Sequence, residues 1–350
     1  VFNTMSYLKF NERYNFGITS NNNFKKYFKK FKHPEILEIT KSKHPKRTFK
    51  YIKKLCNKWS NIKFSVYIIR SCKNKHLSAL CNLHILNLIY CKNITDVSML
   101  GNIHTLDLIY CKNITDVSML GNVHTLNLKG CTNITDVSML GDVHTLNLKY
   151  CKNITDVSML GNVHTLNLSF CVKITDVSAL INVYDLNLSE CNNITDISML
   201  SNVNILDLSW CVNIIDVSTF SNVHTLNLSY CINITDISML GNVHTLDLSL
   251  CYHITDVSML GNVHTLNLSE CNNITDVSAL GNVNTLNLRG CNIIDVSMLG
   301  NVHTLNLSHC KNITDVSALD NVHTLDIQCC KNIPQEQIEE LKKNVDDLYY

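Results

Sequence analysis

Apolar residues recur along this chain with a period of about twenty residues. In the copy Gly261 to Leu280, GNVHTLNLSECNNITDVSAL, the apolar positions are Val263, Leu266, Leu268, Cys271, Ile274, Val277 and Leu280. The cysteine marks each copy and recurs at positions 72, 91, 111, 131, 151, 171, 191, 211, 231, 251, 271, 291, 310 and 330. A fixed period of this length predicts a solenoid built of stacked coils.

Each coil contains a short predicted strand and a short predicted turn. Leu266-Asn267-Leu268 alternates between apolar and polar residues, which is typical of a strand. The Thr275–Ser278 segment carries hydroxyl and carboxylate groups that can cap a tight turn or one turn of 3₁₀ helix. We expect Gly261 and Asn262 to take left-handed conformations and return the chain to the next strand. Seven buried side chains cannot offset a backbone ordering cost of about 1–2 kcal/mol per residue, so the coils must stack.

The pattern LxxLxLxxC followed by xxITDVSxL resembles a leucine-rich repeat with cysteine at its asparagine-or-cysteine position. Its ITDVSxL part is similar to the internalin and SDS22-like classes, and its C-x-x-I spacing is similar to the cysteine-containing class. In composition and regularity the chain also resembles the repeat families of giant viruses. The resemblance covers residues 62–333, or about 13–14 repeats. It implies an α/β solenoid: a right-handed horseshoe with a parallel concave sheet and short turns or 3₁₀ segments on its convex side.

The regions outside the repeats are predicted to be helical. Residues 1–61 form a basic N-terminal region, in which 33–60 resemble a degenerate F-box that opens at Pro34-Glu35 and closes at Trp59. The middle of this segment is lysine-rich, unlike an F-box. That resemblance implies binding to the core of a ubiquitin ligase. Residues 334–350 are predicted to form a capping helix, with Ile338, Leu341, Val345 and Leu348 along one side.

Charge divides the chain into two parts. Residues 1–75 hold 19 Lys and Arg against 3 acids, whereas residues 76–350 hold 11 Lys and Arg against 26 acids. Such asymmetry indicates two functional parts. Basic residues alternate with aromatic ones in residues 21–32, which also suits nucleic acid or an acidic partner.

Cysteine usage bears on the compartment. Of the 17 cysteines, 14 occupy the inward column, where a thiol behaves as a small apolar side chain. The sequence shows no apolar signal region and no stretch long enough to span a bilayer. We therefore expect reduced thiols and an intracellular (cytoplasmic) location, and no membrane partner. For a viral protein, that location would be the host-cell cytoplasm.

Several residue columns could suggest chemistry. Histidine precedes the strand at His84, His104, His124, His144, His164, His224, His244, His264, His303 and His323. A metal strip there would lack a second kind of ligand, so we predict no metal and no cofactor. His264 and Cys271 are separated by roughly 20 Å of extended chain, which excludes a catalytic dyad. His309 beside Cys329 is left as an alternative metal or redox spot. The aspartate column, which includes Asp276, is expected to accept backbone N–H groups. We expect no catalytic residue and no enzyme.

Variety is concentrated on both sides of each cysteine. The predicted partner-binding residues there are Tyr90, Tyr110, Tyr150, Phe170, Glu190, Trp210, Val212, Tyr230, Ile232, Leu250, Tyr252 and Glu270. Large exposed aromatic residues are common anchors of protein interfaces. We predict a non-enzymatic scaffold that binds a protein partner on the concave face and on this cysteine-side edge. The alternatives are an F-box-type substrate receptor, nucleic-acid binding, and a structural role in which the rings only stack on one another.

Overall fold

The computed structural model of the chain describes Phe49, Lys53, Ser65–Ile69 and residues 72–350. These residues fall into two compact units, with the boundary after Leu146. The basic N-terminal region and the F-box-like segment 33–60 lie outside the described residues, apart from Phe49 and Lys53. Both remain predictions from the sequence.

The unit that ends at Leu146 contains parallel strands in chain order. These are β1 (Ser65–Ile69), β2 (Ile85–Ile89), β3 (Thr105–Asp107) and β4 (Thr125–Asn127), and β5 (Thr145–Asn147) lies at the boundary. A short helix, α1 (Asn74–Leu77), follows β1, and the later coils carry 3₁₀ turns at Ser98–Leu100, Ser118–Leu120 and Ser138–Leu140. Leu106 pairs with Leu86 on one side and with Leu126 on the other, so the register advances by one repeat per coil.

The unit that begins at Asn147 repeats this arrangement. Its strands are β6 (Thr165–Asn167), β7 (Asp185–Asn187), β8 (Ile205–Asp207), β9 (Thr225–Asn227), β10 (Thr245–Asp247), β11 (Thr265–Asn267), β12 (Thr285–Asn287), β13 (Thr304–Asn306), β14 (Thr324–Asp326) and β15 (Asp347–Tyr349). The 3₁₀ turns are Ser158–Leu160, Ser178–Asn182, Ser198–Asn202, Ser218–Phe220, Ser238–Asn242, Ser258–Leu260, Ser278–Asn282, Ser297–Leu299 and Ser317–Leu319. Each strand from β6 to β14 pairs in parallel with the next. The predicted repeat fold is confirmed in both units.

The interior consists of the seven apolar positions predicted from the period. In the copy Gly261 to Leu280, all seven of these side chains are buried. Thr265 and Asn267 alternate with the strand leucines and face outward, half-exposed. Because most coils present the same residues at the same heights, with exceptions such as Phe220 in place of leucine, each layer packs against a closely similar one and the core is continuous within a unit.

The cysteine column has a second role besides filling space. The Cys271 thiol donates to the Leu248 carbonyl of the preceding coil, with 3.1 Å between Sγ and O. Cys111, Cys191 and Cys231 make the equivalent contact with the preceding coil. Burial raises the pKa of the Cys271 thiol to about 12. The column is therefore a row of neutral, hydrogen-bonded thiols, and no disulfide occurs among the cysteines of the described residues.

Two side-chain turns fix the corners of each coil. Asp276 Oδ1 accepts the backbone N–H of Ser278 at 2.9 Å, which begins the 3₁₀ turn, and Asn267 Oδ1 accepts that of Ser269 at 3.1 Å, where the strand ends. The hydrogen bond from Ser278 lowers the pKa of Asp276. The structural role predicted for the aspartate column is confirmed.

The prediction of left-handed residues at Gly261 and Asn262 was wrong. Gly261 has a φ of −61°, within the right-handed region. A Cβ at this position would lie 2.5 Å from the Ala279 carbonyl oxygen of the next coil. The glycine therefore permits close approach of two coils and does not turn the chain. Ser201 and Ser221 occupy the same position in other coils, which accommodate a side chain there.

The C-terminal helix is shorter than predicted. Helix α2 spans Gln335–Asn344, and the chain then forms β15, in which Leu348 pairs with Leu325 of β14. Leu341 and Val345 are buried against the last coil. The prediction of helix over 345–350 was wrong because Leu348 continues the leucine column of the sheet. Within the described residues, no helix has the length and apolar character needed to cross a bilayer.

Thiol accessibility provides a test of this packing. In native protein with reduced thiols, we expect a small water-soluble thiol reagent to modify Cys81 and Cys329, which are partly or fully exposed, and to leave the buried column unmodified. Denaturant should make the whole column reactive, because only burial protects it. Mass spectrometry of labelled peptides would give the count. Rapid labelling of Cys211 or Cys271 in folded protein would contradict a buried column.

Candidate protein-binding edge

The residue before each cysteine adopts a left-handed backbone conformation. We call these residues the pre-cysteine column: Tyr90, Tyr110, Gly130, Tyr150, Phe170, Glu190, Trp210, Tyr230, Leu250, Glu270, Gly290, His309 and Cys329. Their φ values lie between 55° and 73°. The cause is a tight turn in which the Cys271 N–H donates to the Leu268 carbonyl at 3.1 Å, and Glu270 is its third residue. A turn with positive φ at that residue favours glycine.

Only two members of the column are glycine, and eleven are not. Each non-glycine residue in this conformation costs about 1–2 kcal/mol relative to a relaxed backbone. Glycine would satisfy the turn in every coil, so the turn does not explain side chains such as Trp210 or Tyr230. Backbone strain recurs here at residues whose side chains the turn does not require. Such repeated strain supports the hypothesis that the side chains have a function. In the sequence, the glycines at 130 and 290 were the signal of this left-handed conformation. The prediction placed it at Gly261 and Asn262 instead.

In the unit that ends at Leu146, the column is aromatic with lysines around it. Tyr90 stacks on Tyr110, with ring centroids 5.0 Å apart and planes within 6°. The Tyr110 ring lies over Gly130, where a Cβ would be 2.3 Å from the ring. Lys112 Nζ lies 5.9 Å from the centre of the Tyr110 ring. This end of the edge therefore presents π faces and positive charge.

In the unit that begins at Asn147, the column contains two stacked pairs. Tyr150 and Phe170 have centroids 4.3 Å apart, and Lys149 Nζ lies 5.0 Å above the Phe170 ring. Trp210 and Tyr230 are closer, with centroids 3.7 Å apart. Glu190 separates the two pairs in the column. The rings support one another, as the structural alternative predicted, but Trp210 keeps 43% of its surface exposed.

The residues after the cysteines widen this edge. Val212, Ile232 and Tyr252 follow consecutive cysteines and are half-buried. The Tyr252 ring meets Tyr230 edge-on, with centroids 6.3 Å apart. The predicted site residues between Glu190 and Glu270 therefore lie on consecutive coils of one edge. Tyr90 and Tyr110 belong to the other unit.

The strand face is more uniform than this edge. Its polar groups often bond to one another: Asn187 Nδ2 donates to Asp207 Oδ2 at 2.8 Å, and Asn267 Nδ2 donates to Asp247 Oδ2 at 3.0 Å. Burial raises the pKa of Asp107, a member of the same column, to about 6. These polar groups already form hydrogen bonds within the sheet and repeat from coil to coil, so they offer little to distinguish one binding protein from another. Binding specificity is therefore expected to come from the variable edge.

The histidine column forms stacks of rings at the other end of each strand. His244 lies between His224 and His264 with centroids 4.6 Å away on each side, and its Nδ1 is 3.3 Å from Thr245 Oγ1. Stacked rings direct their nitrogen lone pairs side by side and not toward a common point. No group of three or more potential ligands for a metal ion occurs in the described part of the chain. His309 and Cys329 are both exposed.

Backbone strain in the column leads to a stability prediction. Glu190→Gly should raise the free energy of unfolding by about 1 kcal/mol, because glycine adopts the left-handed conformation without a clash. The matched control is Gly290→Ala, which should lower stability, because a Cβ there would lie 2.8 Å from the Glu270 side chain and the backbone has a φ of 73°. Thermal unfolding followed by circular dichroism would compare both variants with wild type. Destabilisation by Glu190→Gly would contradict the strain.

The histidine stack leads to a prediction about pH. Loss of solvent, followed by the neighbouring His224 and His264, lowers the pKa of His244 below its ordinary value of 6.5. The unfolded chain therefore binds this proton at higher pH than the folded chain. The contribution of the uncharged stack to stability is complete above pH 6.5 and is lost as the pH falls below it.

The measurement is the melting temperature between pH 7.5 and 5.5. His244→Asn introduces the residue that stands in this column at Asn204 and Asn284. The melting temperature of the variant should fall less on acidification than that of wild type. An identical pH dependence in the two proteins would show that the stack does not oppose protonation.

Comparison with known proteins agrees with the geometry. The model of a family described as "Leucine Rich repeat" matches residues 301–319. The crystal structure of an internalin (inlF) from Listeria monocytogenes is 26% identical, with a TM-score of 0.57 over 75% of this chain and 86% of that one. A functional domain of InlJ from the same organism, described as including a cysteine ladder, is 18% identical, with a TM-score of 0.33 over 75% of this chain and 73% of that one.

A search of curated protein sequences gives no match to this chain. Neither the family model nor the inlF structure supports the F-box and giant-virus resemblances, which therefore rest on the sequence alone. The period, the stacked parallel strands, the 3₁₀ turns and the similarity to an internalin lead to one conclusion: the repeats of this chain are leucine-rich repeats.

Proposed function

We propose that the protein is a non-enzymatic scaffold that binds a protein partner through the pre-cysteine column, the residues after the cysteines and the adjoining strand face. The observation that carries this proposal is Trp210. Its backbone is strained at a φ of 63°, yet the ring is 43% exposed and stacks on Tyr230. A large ring kept exposed at a strained position is better explained by contact with a partner than by folding.

The fold supports the same proposal. Leucine-rich repeats are typically binding scaffolds without catalysis, and the internalin structure shares this architecture. Aromatic anchors supported by neighbouring side chains are well suited to interfaces, because their surface is already ordered before binding. The Trp210–Tyr230 stack provides such order.

Two narrower partner predictions depend on another part of the chain. Binding to a ubiquitin-ligase core and binding to nucleic acid would both use residues before Ser65, where the structure describes only Phe49 and Lys53. A reducing, intracellular location is a proposal that the row of cysteines without disulfides supports, because proteins of oxidising compartments commonly form disulfides.

The test is selection of ligands followed by substitution. A display library of random peptides panned on the full chain should yield ligands whose affinity falls on Trp210→Ala by about 2 kcal/mol, or roughly thirtyfold, as for a buried aromatic anchor. Isothermal titration calorimetry would measure the change.

The control is His244→Ala on the opposite edge, which should leave affinity within about twofold of wild type. Both variants should keep a wild-type circular dichroism spectrum. Ligands that bind Trp210→Ala as well as wild type would place the interface elsewhere and contradict the proposal.

A further inference from the structure

One stretch of the edge is apolar in its middle and acidic at both ends. We call it the acid-bracketed strip. Its apolar members are Trp210, Tyr230 and Leu250 of the pre-cysteine column with Val212, Ile232 and Tyr252, and its ends are Glu190 and Glu270. All of these residues belong to the unit that begins at Asn147.

The two acidic ends of the strip form no salt bridge among the described residues, and Arg289 is the basic residue next to Gly290, against which Glu270 lies. The salt bridges of the described residues all involve His323, Lys342 or Lys343, so neither Glu190 nor Glu270 has a cationic partner in that part of the chain. Neither the pre-cysteine column nor the position after the cysteines contains a basic residue from Glu190 to Asn272. Asp207 and Asp247 on the adjoining strands add further negative charge. An apolar surface with unpaired acids at its two ends complements a partner with the opposite pattern.

The repeat sets the distance between the two ends. Glu190 and Glu270 occupy the same place in coils four steps apart, and strands pair about 4.8 Å apart, so the carboxylates are separated by about 19 Å. The carboxylate of Glu270 lies against Gly290, and the ring of Tyr110 likewise leans over Gly130 of its next coil. The separation of about 19 Å is therefore that of the backbone positions from which the two carboxylates extend.

The width of the strip limits the backbone conformation that a bound partner segment can have. The apolar residues form two columns on either side of one buried cysteine, so their Cα atoms are at most about 7 Å apart across the strip. An α-helix with its side chains is about 10–12 Å wide. An extended segment lays a single row of side chains along such a strip. At about 3.3 Å per residue, 19 Å corresponds to six residue steps.

We propose that the acid-bracketed strip binds an extended segment of a partner protein that carries two basic residues about six positions apart, with apolar residues between them. The inference rests on the proposed function and adds the chemistry of the partner. Trp210 and Tyr230 contact the apolar middle of the segment, and Glu190 and Glu270 each face one basic residue. The edge of the other unit, with Lys92, Lys112 and Lys129 around Tyr90 and Tyr110, repels the same segment.

The test uses synthetic peptides of known spacing. A fluorescein-labelled peptide, Lys-Pro-Phe-Pro-Leu-Pro-Lys, holds its two lysines six positions apart, and its prolines keep it extended. Companion peptides place the lysines two, four, eight and ten positions apart, and another replaces both lysines with glutamate. Fluorescence anisotropy with the full chain at low and moderate salt should show the tightest binding at six positions. The glutamate peptide should bind at least tenfold more weakly.

Substitutions in the protein complete the test. Glu190→Gln and Glu270→Gln should each weaken binding of the six-position peptide about two- to fivefold and reduce its salt dependence, as for partly exposed ion pairs. Glu336→Gln on helix α2 makes the same charge change away from the strip and should have no effect. Because glutamine matches glutamate in shape, all three variants should fold, which circular dichroism would verify.

The outcomes separate this inference from the proposed function. Affinity that does not depend on lysine spacing, or that is insensitive to both glutamine variants, overturns the acid-bracketed strip. If ligands from the display library still depend on Trp210 in that case, the proposed function stands without it. If those ligands are insensitive to Trp210 as well, both proposals fail.

Discussion

The backbone pairing of each coil with the next is the constraint on which the rest of this structure depends. Parallel strands hold neighbouring coils about 4.8 Å apart, and their register aligns Leu246 with Leu226 and Leu266. A side chain of different size in one coil therefore affects its two neighbours, which explains why the inward positions are nearly invariant from copy to copy. The buried thiols are constrained in the same way. The Cys271 thiol donates a hydrogen bond to the preceding coil and also fills space in the interior of its own coil.

An invariant interior leaves variety only where side chains point outward. The corner before each cysteine is such a place, because a left-handed residue there directs its side chain away from the core. The same regular spacing that orders the core also brings successive outward side chains within stacking distance, as for Trp210 and Tyr230 at 3.7 Å. Packing and recognition are thus linked at this edge, because the ring that supports its neighbour is also the ring a partner would contact.

The two ends of the strands show how one spacing has different consequences for different side chains. Imidazole rings at 4.6 Å disfavour charge on one another, so the stack around His244 is more stable when neutral. Aromatic rings at the cysteine end stack without that restriction and can be interrupted by Glu190 or Glu270. The charge of the edge then varies along the chain, basic near Lys112 and acidic around Trp210, while the backbone beneath it stays the same.

Most of the fold could be predicted from the sequence, because the repeat multiplies each local signal. The strand that contains Leu266, the seven inward residues and the turn held by Asp276 all follow from the alternation and chemistry of one copy. The predicted edge residues between Glu190 and Glu270 also lie on consecutive coils, since equal spacing in sequence becomes equal spacing in space. A fixed period determines register as well as shape.

The conformation of the turns was decided by tertiary structure. Glycine at 261 suggested a left-handed turn, but its φ is right-handed and it lies close to the Ala279 carbonyl, a contact that exists only between stacked coils. The left-handed residue is instead Glu270, held by the Cys271–Leu268 hydrogen bond. Leu348 fitted a helical pattern, yet it pairs with Leu325, because an open strand edge satisfies its backbone better than another turn of helix. Local patterns describe one coil, and these features depend on two.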